Sequence, residues 1–328
     1  MNVKEKFEKL FANELGEEEA REFLVGLYEK GESPEEVTAA VEVMREHSVK
    51  LPLSPELRER AIDIVGTGGD KSGSFNISTT VSLLLASTGA VVAKHGNRSI
   101  TSKSGAADLL EALGYDLSLG VEEQVRMLEE TGFAFIFAMN HHPAMKHIMP
   151  VRRSIPHRTV FNIMGPLTNP TGARKYLMGV FSPDFIETMA KVLEALEAKR
   201  AFVVSSEDGM DEISISAPTR YAELREGGIE EGIIDPREHG MDLAPKEAIL
   251  GGDAERNAAI TRAIFADEAS DAQKNIVLLN AAYALVADEA ARDVKEGLEI
   301  AREAIESGKA AKHLERIVEL SRKLGAER

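Results

Sequence analysis

The sequence predicts an α/β protein in which a helical segment precedes a larger region of alternating strands and helices. Residues 1–50 show only helical patterns, whereas apolar runs typical of buried strands alternate with helical patterns from Ala61 onward. After Asp253 the chain is helical again. This order favours a helical lobe packed on an α/β lobe, and ligands are expected in the cleft between them.

The N-terminal helices are indicated by apolar stripes and by one capping signal. Ser33-Pro34-Glu35-Glu36 is a capping box with proline at the first helical position. We interpret the apolar residues at helical spacing in this segment as core positions: Phe7, Leu10, Phe11, Phe23, Leu24, Leu27, Val37, Val41 and Met44.

The α/β region is predicted from short apolar runs separated by helical patterns. The predicted strands are residues 61–65, 91–94, 133–137, 176–180 and 201–204, followed by a hairpin of 219–224 and 229–234 around a Gly-Gly turn. The predicted helices are residues 78–87, 106–113, 122–130, 184–198, 254–265, 271–286, 290–305 and 309–324.

The composition narrows the functional class. A chain of 328 residues with a net charge of −16 and no cysteine predicts no thiolate metal site and no non-specific binding to nucleic acid. No apolar run approaches the roughly 20 residues of a membrane span. The first residues alternate lysine and glutamate, so we expect no signal peptide and a cytoplasmic protein without a membrane partner.

A glycine-rich loop follows the first predicted strand and points to phosphate binding. It reads Gly66-Thr67-Gly68-Gly69-Asp70, and a predicted helix comes soon after it. Backbone N–H groups in such a loop, together with a helix N-terminus, bind anions. Asp70 stands where a P-loop requires glycine before Lys71-Ser72, and Lys71 stands where the dinucleotide fingerprint requires its third glycine, so neither motif matches. The carboxylate of Asp70 suggests that the loop also faces a metal ion or a sugar hydroxyl.

A histidine- and arginine-rich segment lies between Asn140 and Asn169. A histidine metal site is disfavoured, because His142 and His147 are five residues apart and no carboxylate lies near them in sequence. Arg152 and Arg153 fall on a helix predicted to start near residue 143. They are either a solvated basic turn or a clamp for a carboxylate, which the planar guanidinium matches.

An acidic segment, Glu207-Asp208-Gly209-Met210-Asp211-Glu212, follows the fifth predicted strand. Spacing alone favours a solvated surface turn. A second interpretation is that the carboxylates bind Mg²⁺ together with substrate phosphates. The predicted phosphate loop elsewhere in the chain favours it.

Taken together, these motifs resemble the anthranilate phosphoribosyltransferase family over nearly the whole chain. The segments that carry the resemblance are 66–70, 76–79, 94–98, 103–105, 142–146, 165–170 and the pair Asp211-Glu212. The resemblance implies a helical domain of residues 1–60, joined by helices from about 143–170. It also implies an α/β domain of nucleoside-phosphorylase type, residues 61–142 and 171–328, with the active site in the inter-domain cleft. The family pattern further implies a homodimer formed through the helical domain.

The implied reaction joins anthranilate to 5-phosphoribosyl-1-pyrophosphate, in tryptophan biosynthesis, and releases pyrophosphate. Carried over by position, Lys94, Asn97 and Arg152 are the expected catalytic residues. Anthranilate is expected to meet Gly66, His95, Asn97, His142, Arg152 and Pro166. Two Mg²⁺ ions per subunit are expected, one on Ser78 and one on Asp211 and Glu212. The expected contacts of phosphoribosyl pyrophosphate are Gly66, Gly69, Asp70, Ser74, Asn76, Ile77, Ser78, Thr79, Lys94, His95, Gly96, Asn97, Arg98, Ser99, Ile100, Thr101, Ser102 and Ala106.

One departure from the family pattern concerns Ala106. The family often has serine at this position, so a hydroxyl contact to the phosphoribosyl group is lost here, while a backbone contact remains available.

Two other functions fit the same scaffold less well. A pyrimidine nucleoside phosphorylase would use inorganic phosphate and a pocket for a base; the intact 94–98 segment and the Asp211-Glu212 pair count against it. A non-enzymatic paralogue that binds nucleic acid would have lost the acidic pair and gained a basic surface, and this chain shows neither change.

Overall fold

The computed structural model describes residues 2–99 and 103–327. Its strands are β1 Ala61–Gly66, β2 Val91–Gly96, β3 Phe133–Phe137, β4 Lys175–Gly179, β5 Arg200–Ser206, β6 Thr219–Arg225 and β7 Gly228–Ile234. They form a seven-stranded mixed sheet with the order β3-β2-β1-β4-β5-β6-β7. β1 to β5 run parallel, and the β6–β7 hairpin adds two antiparallel strands at one edge.

Helices make up most of the remaining chain. Those before and within the first half are α1 Val3–Phe11, α2 Glu17–Lys30, α3 Pro34–Glu46, α4 Pro55–Arg60, α5 Ile77–Thr88, α6 Ala106–Leu113, α7 Val121–Thr131, α8 Ala138–His141, α9 Met145–Ser154 and α10 Phe161–Met164. Those of the second half are α11 Ile186–Ala195, α12 Ala254–Phe265, α13 Asp271–Ala287, α14 Val294–Glu306 and α15 Lys309–Ala326. In the described part of the chain, no helix is both long and apolar enough to cross a membrane.

The sheet is covered by helices that bury its apolar strands. α5 packs on β1 and β2, α13 packs on β4 and β5, and α11 packs on β5 and β6. Ten of the twelve residues of α5 are buried, and they run from Ile77 to Ser87 with one gap at Ser78. The carboxyl ends of β1, β2 and β4 therefore meet at one edge of a sheet whose central strands are buried.

The N-terminal helices pack on one another and on helices from the middle of the chain. α1 packs on α3, α9 packs on α1 and α2, and α10 packs on α3. Arg45 of α3 donates from Nε to the carbonyl of Leu167 (2.8 Å) and from Nη2 to Tyr176 Oη in β4 (3.2 Å). Glu32 accepts two 2.8 Å hydrogen bonds from Arg158, in the forked geometry of a strong charge-assisted pair.

The predicted elements are confirmed, with differences at several of their ends. β2 continues to Gly96, so His95 lies in the strand and not in the loop after it. α14 begins at Val294 and not at residue 290, because Asp293 caps it by accepting from the Glu296 N–H (2.9 Å). α11 ends at Ala195, before Glu197 adopts a positive φ of 59°.

The contact between α13 and α14 depends on one glycine. A Cβ on Gly297 would lie 2.7 Å from the carbonyl oxygen of Ala282, so the Gly297→Ala variant must push the helices apart. Overpacking costs about 1–3 kcal/mol, which exceeds the gain of about 1 kcal/mol from replacing glycine within a helix. We expect a lower melting temperature. Gly26→Ala in α2, where nothing lies within 4 Å of the new Cβ, should raise it. Shifts of the same sign in both variants would contradict this account.

Candidate functional site

The candidate site lies where the order of the strands reverses around β1. The chain runs from β1 to β2 on one side and returns as β4 on the other side. In open parallel sheets, ligands bind at the carboxyl ends of the strands beside such a switch point. Gly66 and Gly179 end β1 and β4, and they are paired across the two strands.

These two glycines let the acidic segment approach the sheet. A Cβ on Gly179 would collide with the backbone carbonyl of Asp211, and a Cβ on Gly66 would collide with the Asp211 carboxylate. Asp211 Oδ2 accepts a hydrogen bond of 2.6 Å from the Gly68 N–H. Gly68 and Gly69 have φ angles of 67° and 81°, a region that favours glycine. The loop thus requires its glycines both for close approach and for its backbone conformation.

Helix α5 begins at Ile77, a short segment after this loop, and its first turn can bind an anion. Asn76 is its N-cap residue, but the Asn76 side chain makes no capping hydrogen bond. Among the expected ligands at this helix start, the side chains of Ile77 and Thr79 are buried. The Ile77 N–H donates to the Phe75 carbonyl (2.7 Å), whereas the N–H groups of Ser78 and Thr79 lie at the positive end of the helix dipole, which favours negative charge.

Three carboxylates meet at this loop, one from the loop itself and two from the acidic segment. One ligand oxygen each from Asp70, Asp211 and Glu212 lie within 4.8 Å of one another. Burial raises the pKa of Asp211 and that of Glu212, and the nearby carboxylates raise both further by charge repulsion. Asp70 Oδ2 and Glu212 Oε2 are buried without a hydrogen-bond partner among the described residues. Crowded oxygens without donors are the ligand set that Mg²⁺ prefers, so the residues fit this ion.

The alternative of a solvated acidic turn is wrong for Asp211, whose exposed fraction is only 7%. Hydrogen bonds from helix α13 also fix the position of the acidic segment. Asn280 of α13 accepts from the Ile213 N–H (3.0 Å) and donates to the Ile213 carbonyl (2.7 Å). Ser78 Oγ donates to Glu212 Oε1 (3.3 Å), so the two expected metal-binding positions are in contact.

Lys94 lies beneath the acidic cluster and not on the surface. Its ammonium donates to the Ile64 carbonyl (2.6 Å), and only 4% of the residue is exposed. Burial lowers its pKa, while the charges of Asp63, Glu212 and Asp211 raise it. The lysine is therefore placed to offset the negative charge of the cluster.

A buried polar network holds β2 in register beside Lys94. Asp63 Oδ1 accepts from the His95 N–H (3.1 Å), and Asp63 Oδ2 accepts from Asn169 Nδ2 (2.8 Å). Asn169 Nδ2 also donates to the Ala93 carbonyl (2.9 Å). Burial raises the pKa of Asp63 to about 6, although the charge of Lys94 lowers it. Asn169 is thus an anchor inside the fold, beyond the turn chemistry that its Asn-Pro sequence predicts.

His95 and His142 form a close pair, with Nε2 atoms 3.3 Å apart and rings arranged edge to face. Burial lowers the pKa of both, that of His142 to about 4, and within residues 2–99 and 103–327 the buried His142 Nδ1 has no hydrogen-bond partner. The pair is neutral at pH 7 and presents a weakly polar wall. His141 instead bonds to the Val49 carbonyl (2.8 Å) and to Gln124 Oε1 (3.0 Å), so its role is structural.

Side chains of the polar segment after β2 already form hydrogen bonds within the protein. Asn97 is exposed, and its Oδ1 accepts from the Arg98 N–H (2.8 Å). The Arg98 guanidinium bonds to Asp108 (2.8 Å) and to Glu111 (2.9 Å). A substrate contact by Arg98 must therefore compete with two carboxylates.

Asp108 links the two described ends of this loop. Its Oδ2 accepts from the Ser99 N–H (3.1 Å) and from the Gly105 N–H (2.8 Å). Ala106 follows Gly105 as the first residue of α6. The expected contacts Ile100, Thr101 and Ser102 lie outside the described residues.

Arg152 is a half-buried arginine without a carboxylate partner among the described residues. Its guanidinium lies over the ring of Phe161 at 5.1 Å, and Nη1 donates to Met149 Sδ (3.6 Å). Burial lowers its pKa. Arg153 is exposed on the same helix, and Pro166 is buried in the short 3-10 turn Gly165–Leu167. Of the two arginines, Arg152 is the one prepared to receive an anion.

Comparisons with known proteins agree with this geometry. Residues 3–48 match the glycosyl transferase family, helical bundle domain, and residues 58–311 match the glycosyl transferase family, a/b domain. Anthranilate phosphoribosyltransferase of Symbiobacterium thermophilum is 47% identical over 305 residues, which cover 93% of this chain and 88% of the relative. That of Aquifex aeolicus is 44% identical over 301 residues, 92% and 88% of the two chains. The chain belongs to the anthranilate phosphoribosyltransferase family.

Solved structures of anthranilate phosphoribosyltransferases share the fold. The crystal structure from Thermus thermophilus superposes with a TM-score of 0.91 at 42% identity and covers 98% of this chain and 94% of that one. The Saccharomyces cerevisiae protein, described in complex with PRPP and Mg, gives 0.86 at 25% identity, with 94% and 86% covered. The prediction of a helical domain joined to a larger α/β domain is confirmed.

Several residues that shape this anthranilate phosphoribosyltransferase site were not predicted from the sequence. They are Asp63, Gly179, Asp108 and Asn280. Asp63 and Gly179 carried a usable signal, since a carboxylate inside an apolar strand and a glycine at a strand end are both unusual. Asn280 carried none, because its partner Ile213 is distant in sequence.

The buried acid at position 211 predicts a pH-dependent stability. Because the folded state raises the pKa of Asp211, it keeps a proton that the unfolded chain loses. Stability should therefore fall as the pH rises from about 4, the ordinary value, through the raised pKa. In ligand-free protein, Asp211→Asn should melt above the parent at pH 8, with the difference shrinking toward pH 4. Glu207→Gln, on the exposed start of the segment, should follow the parent throughout; a pH-independent difference for Asp211→Asn would contradict the assignment.

Proposed function

We propose that this chain transfers the phosphoribosyl group of 5-phosphoribosyl-1-pyrophosphate to anthranilate, giving N-(5-phosphoribosyl)anthranilate and pyrophosphate, as one step of tryptophan biosynthesis. The observation that carries the proposal is the meeting of a glycine loop, an uncapped helix start and three crowded carboxylates. Family membership supports the same conclusion. These groups match a substrate that carries a pyrophosphate group and binds together with a metal ion.

The pyrophosphate is bound from two sides in this proposal. The Gly69 N–H and the N–H groups of Ser78 and Thr79 receive the phosphates, because the Thr67 N–H already donates to the Gly179 carbonyl and the Gly68 N–H to Asp211. Asp211 and Glu212 hold one Mg²⁺ and Ser78 holds a second, giving two per subunit. When bound, the ions neutralise the charge that develops on the leaving pyrophosphate. Support comes from the unpartnered oxygens of the cluster and from the relative described with PRPP and Mg.

Remaining contacts follow the positions expected from the sequence. Lys94 offsets the cluster charge from below. Arg152 and Asn97 orient anthranilate, and His95, His142 and Pro166 line its route. Phosphoribosyl contacts come from Asp70, Ser74, Ser78, Asn97 and the backbones of Asn76, Ile77, Thr79, Gly96, Ser99 and Ala106.

Catalysis then depends on placement and on charge stabilisation. The bond from ribose to pyrophosphate breaks through a cation-like carbon, so the chief needs are a neutralised leaving group and an aligned amine. An aromatic amine loses its proton readily once it is bonded. The neutral His95–His142 pair fits a wall around a flat aromatic substrate.

The domain bounds and the oligomeric state are part of the same proposal. We place the helical domain at residues 1–60 with helices from about 143–170, and the phosphoribosyl-binding domain in the rest of the chain. The protein is proposed to be a cytoplasmic homodimer formed through the helical domain. Sedimentation at a single mass of one chain would argue against the dimer.

The reaction is tested by following anthranilate fluorescence. The signal should fall with time only when phosphoribosyl pyrophosphate and Mg²⁺ are both present. Joint replacement Asp211→Asn and Glu212→Gln should shift the Mg²⁺ dependence to higher concentration. An unchanged signal under all conditions, together with phosphate-dependent cleavage of a pyrimidine nucleoside, would establish the phosphorylase alternative instead.

The role of Arg152 is tested against its neighbour. Arg152→Ala should raise KM for anthranilate about 10- to 100-fold, the effect of a lost charge-assisted hydrogen bond. KM for phosphoribosyl pyrophosphate should change far less. Arg153→Ala is the matched control, because the exposed Arg153 points about 100° away on the same helix. If both variants behave alike in steady-state kinetics, the clamp is misassigned.

A further inference from the structure

A polar seam joins α12 to the start of α5. Asn257 and Thr261 lie one turn apart on α12, and both are buried. Asn257 Nδ2 donates to Asn76 Oδ1 (2.8 Å), and the hydroxyls of Thr261 and Thr80 are 2.8 Å apart. Buried polar groups of this kind fix the relative position of the elements that carry them.

The orientation of the Asn257 side chain is set by its other partner. Its Oδ1 accepts from the Gly252 N–H (2.8 Å), so its Nδ2 must face Asn76. The turn that precedes α12 is itself bonded to the segment that joins the glycine loop to α5, since the Gly251 N–H donates to the Gly73 carbonyl (2.9 Å). A Cβ on Gly251 would lie 2.6 Å from Phe75 Cα, so this turn lies directly against the segment that leads into α5.

Asn76 joins the seam to the polar segment after β2. Its Oδ1 accepts from Ser104 Oγ (3.1 Å) as well as from Asn257, and its Nδ2 donates to the Ser104 carbonyl (3.1 Å). The side chain of Asn76 is thus largely committed to protein partners. Its position decides the distance between the start of α5 and Ser104.

We propose that Asn257 is a positioning residue for phosphoribosyl pyrophosphate. Asn257 has no role among the expected substrate contacts. By fixing the amide of Asn76, it holds the start of α5 and Ser104 at the separation that the substrate requires. This inference rests on the proposed function, because it takes the loop and α5 as the binding site for this substrate.

Thr261 provides a matched control on the same helix face. Thr261→Val removes the hydrogen bond to Thr80 at nearly constant volume, one turn away from Asn76. It should lower the melting temperature without changing the affinity for phosphoribosyl pyrophosphate. Asn257→Ala should change both.

The experiment measures binding of phosphoribosyl pyrophosphate with Mg²⁺ by calorimetry, and both KM values by steady-state kinetics. Asn257→Ala should raise the Kd and the KM for phosphoribosyl pyrophosphate about tenfold, the effect of about 1.4 kcal/mol. KM for anthranilate should stay within about twofold, since the seam does not involve the residues proposed for that substrate. Asn257→Asp keeps the acceptor for Gly252 and replaces the alanine variant if that variant does not fold.

The outcomes separate two failures. If the parent chain binds no phosphoribosyl pyrophosphate, the proposed function is wrong. If the parent binds it and the Asn257 variant binds it equally well, or if Thr261→Val weakens binding as much as Asn257→Ala, the positioning role is wrong and the seam serves stability alone.

Discussion

The site depends on one close approach, that of Asp211 to the paired glycines Gly66 and Gly179. A side chain at either glycine would collide with Asp211, so the acidic segment reaches the phosphate loop only because both strands end in glycine. The approach also places the Asp211 carboxylate on the Gly68 N–H. Protein interiors are packed too densely to absorb a displaced backbone locally. The shape of the glycine loop and the position of the Asp211 carboxylate therefore depend on the same close contact.

This contact brings the carboxylates of Asp70, Asp211 and Glu212 close together, and a buried lysine offsets their negative charge. Lys94 lies under the cluster, where burial opposes its charge and the surrounding carboxylates favour it. Asp63 and Asn169 hold the strand that carries this lysine. A buried ion is costly unless it is paired and hydrogen-bonded. The network meets this condition, and it leaves the carboxylates above Lys94 with unsatisfied oxygens that a cation would complete.

Much of this arrangement could be predicted from the sequence, because strands, helices and glycine loops are local patterns. β3, α6 and α12 have the predicted bounds, and the glycine loop and acidic segment fall at strand ends. Burial was harder to predict. Asp211 looked like part of a solvated turn because the collision with Gly179 depends on two segments distant in sequence. For the same reason His95 looked like a loop residue, since its location in β2 depends on pairing with β3.

Helix α5 begins without a side-chain cap, although it is deeply buried against β1 and β2. Ordinary N-caps satisfy exposed N–H groups and stabilise a helix by about 1 kcal/mol. Here a better cap would occupy the groups proposed to bind phosphate. Selection for thermal stability and selection for substrate affinity would then oppose each other at this helix start, as is common where stability and activity compete. Stabilised variants sought at residues 76–79 should be screened for lost affinity, whereas the exposed helix surfaces offer stabilisation without that conflict.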